Sequence, residues 1–214
     1  ISEYGPDATR WYMISNANPW DNLKFDIEGI AEVRRKFFGT LYNTYSFFAL
    51  YANIDNFKYA EAEIPLNERP EIDQWIISTL NTLIIEVEEA LDDYEPTKAA
   101  RLIDNYVDEY LSNWYVRLCR RRFWKGEYSQ DKISAYQTLY TCLETVAKIS
   151  APVAPFFMDQ LYQDLNTISG KNAAKSVHLT DFPLVNENLI DLSLVEKTHL
   201  AQQITSMVFS LRKK

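Results

Sequence analysis

Apolar residues recur every three or four positions over the long segments of this sequence, and few residues interrupt that spacing. Only 5 glycines and 8 prolines occur among 214 residues, so the chain has few positions that favour a tight turn. A spacing of three and four places apolar side chains on one face of an α-helix. The sequence therefore predicts an all-α protein, an antiparallel helical bundle of about six to seven helices around one continuous core.

Prolines and capping residues divide the chain into these helices. Proline suits the first turn of a helix, and Asp or Ser suits the position before it. The predicted starts are Pro6, Asp26, Pro70, Pro96, Ser129, Pro155 and a point near residue 190. Gly39 inside the second helix costs about 1 kcal/mol relative to Ala, and close packing against a neighbour is one compensation. The irregular stretch 166–188 is predicted to contain a short extended segment near 176–183, at Val177–Leu179.

The composition excludes several classes of protein. Cys119 and Cys142 are the two cysteines and stand in no metal-type spacing, which favours reduced thiols in the cytoplasm over a disulfide framework. No apolar run approaches the ~18 residues that a membrane span needs, and no glycine-rich phosphate loop is present. His178 and His199 have no acid or thiol nearby at metal-ligand spacing. We therefore expect no catalytic residue and no metal site in this chain, and no membrane contact.

The ends of the chain indicate a part of a longer protein. The sequence lacks an initiator Met, and its last residues continue a helical pattern. We expect residues 1–25 to form a linker with a short helix, residues 26–188 to form the bundle, and residues 189–214 to form a truncated C-terminal helix.

One short run reverses the charge of the chain. The formal net charge is −8, yet residues 114–125 hold five positive charges and no negative one, which leaves −13 for the remainder. Four aromatic residues lie among these cations. Arginine and aromatic side chains are the groups on which unpaired bases stack. We therefore predict an RNA-binding site made of Arg117, Arg120, Arg121, Arg122, Trp124 and Lys125.

A helical wheel at about 100° per residue gives this run two possible geometries. The apolar stripe of the fourth helix runs through Ile103, Val107, Tyr110, Leu111, Trp114 and Leu118, and the positions that continue it are Arg121, Arg122 and Lys125. Because a buried guanidinium needs a partner, the helix end either projects beyond the bundle or meets carboxylates inside it. For any single arginine, pairing with Asp or Glu is an alternative to RNA contact. The RNA hypothesis predicts that Arg120, Arg121, Arg122 and Trp124 lie exposed along one groove.

Several segments occur in an order and spacing that resemble a known family. They are Tyr4–Trp11, Ala151–Phe156, Ser176–Pro183, Arg34–Tyr45 and Asn113–Trp124. The first three resemble the C-terminal region of class I aminoacyl-tRNA synthetases of the isoleucyl, valyl and leucyl group. The last two are most similar to the isoleucyl enzymes.

The resemblance implies a helical domain that binds the anticodon arm of an isoleucine-accepting tRNA. It also implies catalytic and editing domains in the same polypeptide, and we expect a monomer. The parent enzyme would join isoleucine to its tRNA using ATP and Mg²⁺. The nucleotide-binding motifs of the family are absent here, so this chain is expected to be inactive alone and to hold no cofactor. Alternatives are the same domain of a valyl or leucyl enzyme, or a helical scaffold that docks an acidic protein helix.

Overall fold

Seven helices build the part of the chain that the computed structural model describes, residues 2–212. The helix α1 is Pro6–Asn16, α3 is Glu71–Asp92, α5 is Gln130–Ser150, α6 is Pro155–Ser169 and α7 is Leu192–Arg212. Two longer helices each contain a π-helical stretch. The helix α2 spans 27–54 as Ile27–Val33, the π-helical Arg34–Phe38 and Gly39–Ile54, and α4 spans 96–124 as Pro96–Asn105, the π-helical Tyr106–Val116 and Arg117–Trp124. No strand occurs between residues 2 and 212, so the all-α prediction is confirmed.

The helices begin close to the predicted capping residues. The Asp26 carboxylate accepts a hydrogen bond from the first turn of α2, and the Ser129 hydroxyl does the same for α5. Pro6, Pro96 and Pro155 each occupy the first turn of their helix. These positions satisfy or remove N–H groups that a helix start leaves without an intrahelical partner.

One apolar core joins the helices from α1 to α6. Two thirds of the residues of α5 are buried, so this helix lies at the centre of the bundle. Trp11 of α1 is fully buried and stacks on Phe37 of α2, with 4.0 Å between the ring centroids. The helix α7 has no buried residue among those described, and Leu194 and Val195 in its first turn pack against the core. No helix within residues 2–212 combines the length and apolar character needed to cross a bilayer.

The segment near 176–183 differs from the prediction at its centre. Val177–Leu179 forms one turn of 3-10 helix, and extended residues flank it on both sides. The Ser176 hydroxyl accepts a hydrogen bond from the backbone N–H of His178, and Asp159 accepts one from the backbone N–H of Val177. These side-chain acceptors compete with extended structure and close the turn.

Close packing does not explain Gly39. A methyl group added there would meet only the backbone oxygen of Arg34, at an ordinary contact distance of 3.5 Å. Gly29, one helical stretch earlier, is the tightly packed glycine, because an added methyl group would collide with the ring of Tyr12.

Candidate nucleic-acid interface

The π-helical stretch of α4 decides which side chains of the basic run face outward. A π-helix bonds i to i+5 and so holds more residues per turn than an α-helix, which shifts the buried stripe along the sequence. From the end of this stretch onward the buried positions are Tyr115, Val116, Cys119 and Phe123. The predicted apolar stripe is wrong at its last member, Leu118, which is 58% exposed.

The last stretch of α4 presents one cationic face to solvent. Arg117, Arg120, Arg121 and Trp124 stand at i, i+3, i+4 and i+7 of the α-helical Arg117–Trp124, a spacing that places them on the same side of the helix. All four are exposed, and Lys125 is exposed directly after the helix ends. We call these five residues the cationic face.

The charges of the cationic face are not neutralised by the bundle. Within residues 2–212, none of its four cations forms a side-chain hydrogen bond or an ion pair. Trp124 is 50% exposed, which leaves ring surface open to a ligand. Four unpaired cations beside an exposed indole suit a polyanion with flat apolar groups, as a single-stranded nucleic acid has.

Arg122 faces inward, so the prediction that it lies exposed is wrong. Its side chain is only 14% exposed and binds Asp73 through two hydrogen bonds of 2.7 and 2.8 Å. A second carboxylate, Asp131, lies 3.0 Å from Nη2. Burial lowers the pKa of Arg122, but the hydrogen bond and charge of Asp73 outweigh it and raise that pKa above its ordinary value.

The sequence did not single out Asp73, which is fully buried. Its carboxylate also accepts hydrogen bonds from the Tyr115 hydroxyl at 2.8 Å and the Ser134 hydroxyl at 3.1 Å. Burial raises the pKa of Tyr115 well above its ordinary value, so this phenol stays protonated as a donor. The sequence does contain a sign that Asp73 is buried. This residue shares a helical face with the apolar Ile76 and Ile77 at i+3 and i+4.

The two geometries left open by the helical wheel therefore both occur within one helical turn. Arg122 meets the buried carboxylate of Asp73 inside the bundle, whereas Arg121 and Arg120 project into solvent. The structure brings five of the six predicted site residues to one exposed surface and assigns the sixth to the interior.

A second set of predicted motifs meets at the first turn of α6. Asp7 of α1 accepts a hydrogen bond from the backbone N–H of Phe157 at 2.6 Å, and Arg10 donates one from Nε to the carbonyl of Val153 at 3.1 Å. The ring nitrogen Nε2 of His178 lies 3.1 Å from the carbonyl of the first residue of α6. These contacts give the segments structural roles in fixing α6.

The fold is an all-α bundle, and the cationic face lies exposed at the end of its fourth helix. Comparison with known families agrees with that description, since the model for the anticodon-binding domain of tRNA ligases matches residues 73–214. That match covers well over half of the chain. The chain belongs to this family of anticodon-binding domains.

Relatives similar to the whole chain are isoleucine–tRNA ligases. The enzyme of Cytophaga hutchinsonii is 66% identical over 213 residues, which are 100% of this chain and 19% of that protein. The enzyme of Bacteroides thetaiotaomicron is 64% identical over 214 residues, again 100% of this chain and 18% of the relative. The chain thus spans about a fifth of the length of the curated relatives that it matches.

A solved structure has the same fold. It is the ternary complex of Agrobacterium radiobacter K84 agnB2 LeuRS with tRNA and LeuAMS. The superposition has a TM-score of 0.64 and covers 89% of this chain and 21% of that one, at 18% sequence identity. At that identity the likeness concerns the fold alone.

Proposed function

We propose that this chain is the tRNA-binding module of an isoleucine–tRNA ligase and that its cationic face lies against the anticodon arm. The observation that supports this most is the face itself, four exposed and unpaired cations with Trp124 between them on a chain of net charge −8. The relatives that span the whole chain are isoleucine–tRNA ligases, which favours the isoleucyl enzyme over the valyl and leucyl alternatives.

The proposed contacts divide into two kinds. Arg117, Arg120, Arg121 and Lys125 neutralise phosphates, and such contacts release counterions and make binding depend on salt. Trp124 offers a ring on which an unpaired base of the loop stacks, and stacking of this kind is tolerant of sequence. The acidic remainder of the chain repels RNA elsewhere and so confines it to this surface.

The size of the salt effect follows from the number of cations. With a slope of roughly −0.7 to −0.9 per phosphate contact, four contacts weaken binding about 50- to 150-fold between 50 and 200 mM salt. An experiment at these two concentrations therefore counts the contacts as well as measuring affinity.

The test is a titration of the 214-residue chain with isoleucine-accepting tRNA. We expect Arg117→Ala plus Arg121→Ala to lower the salt slope by about two and the affinity by at least about tenfold. The matched control is Lys175→Ala plus Lys197→Ala, which removes the same charge from exposed positions on other segments and should leave the slope unchanged. Equal affinity and slope for the wild type and the first variant would reject the cationic face as the RNA site.

Trp124 is tested separately from the charges. We expect Trp124→Ala to weaken binding by about 1 kcal/mol or more, since one base–aromatic stack is worth about 1–3 kcal/mol, without altering the salt slope. Trp124→Phe keeps an aromatic ring and should recover part of the loss. If instead the chain binds an acidic helical peptide, and tRNA does not compete for it, the protein-scaffold alternative is correct.

We further propose that the activity of the longer protein, the joining of isoleucine to tRNA with ATP and Mg²⁺, belongs to catalytic and editing parts outside this chain. The small share of each relative that the chain spans supports this division. No residue of this chain is assigned to ATP or Mg²⁺.

A further inference from the structure

We propose that Arg122, held by Asp73, positions the cationic face for RNA and does not itself bind RNA. This inference rests on the proposed function, since it concerns how the same surface is built. The three consecutive arginines of the basic run then have two different roles. Arg120 and Arg121 bind RNA, and Arg122 orients the cationic face.

The pair has a geometry that fixes orientation as well as distance. Two guanidinium nitrogens of Arg122 reach the two carboxylate oxygens of Asp73, at 2.7 and 2.8 Å. Two parallel hydrogen bonds between planar groups define both the position and the rotation of the arginine. A lysine ammonium at the same place is a point charge and cannot define the rotation.

The pair also joins three helices at one point. Asp73 lies in the first turn of α3, and Arg122 lies in the last turn of α4. From α5, the Ser134 hydroxyl and the backbone carbonyl of Asp131 each accept a hydrogen bond from Nη2 of Arg122 at 2.9 Å. The end of α4 is thereby held against the starts of α3 and α5.

The last turn of α4 has one apolar anchor. Phe123 is buried there against one aromatic ring of α2 and one of α5, and hydrophobic burial of this kind is non-directional. The helix ends at Trp124, and the backbone of Lys125 is already extended. Arg122 is thus the polar anchor of the turn from which Arg121 and Trp124 project.

A pair of lysine substitutions tests the inference without changing the net charge. In the 214-residue chain, Arg122→Lys removes the two-bond geometry but keeps the charge, and Arg121→Lys makes the same chemical change at the exposed neighbour. Arg121→Ala reports on the proposed function. Each variant is measured for affinity to isoleucine-accepting tRNA at 50 and 200 mM salt, and for amide hydrogen exchange at residues 117–125.

We expect Arg122→Lys to lower tRNA affinity by about tenfold and the salt slope by about one to two, because phosphate contacts on the displaced turn are lost. Exchange at residues 117–125 should accelerate while the rest of the chain stays protected. Arg121→Lys should stay within about twofold of the wild type, because a lysine still reaches a phosphate.

Wild-type affinity, slope and exchange in Arg122→Lys would overturn the inference. Reduced affinity with unchanged exchange would also overturn it, because Arg122 would then be an RNA ligand. If Arg121→Ala binds like the wild type, the proposed function fails at this surface, and the exchange of Arg122→Lys alone decides whether the turn is positioned by the pair.

A milder variant covers the case in which Arg122→Lys does not fold. Tyr115→Phe removes one hydrogen bond to Asp73, of 2.8 Å, and keeps the buried ring. We expect a smaller change in the same direction in both affinity and exchange. Wild-type values for both in a folded Tyr115→Phe variant would contradict the inference.

Discussion

Arg121 and Arg122 are adjacent and chemically identical, yet the bundle gives them opposite surroundings. Arg121 is exposed, whereas Arg122 is bound by two carboxylates. A step of one residue rotates the side chain by about 100° around the helix, which is enough to move it from solvent to the interior. Residue type therefore predicts that the run contacts anions. The rotational position of each arginine on the helix decides whether it faces solvent or the carboxylates of the bundle.

Asp104 is a second residue whose surroundings the sequence does not reveal. Its carboxylate accepts hydrogen bonds from Nε1 of Trp11, which lies 3.2 Å from both oxygens. It borders a cleft between α1, α2 and α4 that also contains Glu32, Lys36 and Asp108. Burial raises the pKa of Asp104 to about 6, against the lowering effect of the Trp11 hydrogen bond and with a further rise from Asp108.

This raised pKa predicts a stability that falls as pH rises. The folded state holds the proton of Asp104 more tightly than the unfolded state, whose carboxyl has the ordinary value of 3.8. The contribution is therefore fully present below about pH 4 and is lost as the pH passes about 6. Asp104→Asn keeps an acceptor for Trp11 and should raise the free energy of unfolding at pH 8 by about 1–3 kcal/mol.

Urea denaturation of the wild type and Asp104→Asn at pH 5 and pH 8 measures this effect. The increase in the free energy of unfolding that Asp104→Asn causes should be clearly larger at pH 8 than at pH 5. The exposed Asp108→Asn, one helical turn later, removes the same charge and should retain most of the wild-type pH dependence. A gain of equal size at both pH values would show that burial of the charge is not its cause.

At the scale of the element, the starts of the helices were predictable, and the phase of the end of α4 was not. Pro96, Asp26 and Ser129 act through local backbone chemistry that sequence alone specifies. The π-helical stretch Tyr106–Val116 contains no glycine or proline that would mark the change of helix type in the sequence. Because the wheel assumed a uniform α-helix, it placed the face of α4 correctly up to Leu111 and wrongly at Leu118.

The same limit applies to the candidate site. Charge and aromatic content single out the basic run in the sequence, and five of its six predicted residues are exposed in the structure. That this run binds RNA stays a prediction. The exception is Arg122, whose partner Asp73 lies 49 residues away. A contact over that distance depends on how α3, α4 and α5 pack together, which their separate patterns do not specify.

Two glycines of α2 give a matched test of how that helix packs. An added methyl group at Gly29 collides with the ring of Tyr12, whose hydroxyl donates to the Lys24 carbonyl at 3.2 Å and accepts from the Asp26 N–H at 3.0 Å. Gly29→Ala should therefore displace Tyr12 and destabilise the chain by about 1–3 kcal/mol. Gly39→Ala meets only an ordinary contact and should be neutral or stabilising by up to about 1 kcal/mol.

Urea denaturation of both variants distinguishes packing from propensity. Each substitution makes the same chemical change within α2, so an equal effect of both on the free energy of unfolding would mean that intrinsic helix propensity alone is responsible. Opposite signs would confirm that α1 and α2 are packed through Gly29.

At the scale of the whole molecule, α1 is fixed to the bundle at both of its ends. At its start, Asp7 reaches the first turn of α6, 150 residues away. At its end, the Thr97 hydroxyl donates to the carbonyl of Ile14 at 2.7 Å, and Arg101 donates to that of Ser15 at 2.8 Å. The division into a linker at 1–25 and a bundle from 26 onward stays a prediction, and these contacts give a way to test it.

Asp7 supplies α6 with the capping group that its own N-cap residue, Ala154, lacks. Loss of a side-chain cap costs about 0.5–2 kcal/mol, so Asp7→Ala should lower the free energy of unfolding by about that amount, and Asp7→Asn, which keeps an acceptor oxygen, by less. Because Trp11 lies in the common core, we expect the wild type to unfold in one transition that includes α1. Amide exchange should then accelerate in both α1 and α6 of Asp7→Ala. Faster exchange confined to residues 6–16, with an unchanged global free energy of unfolding, would instead identify α1 as a separate linker that only rests on the bundle.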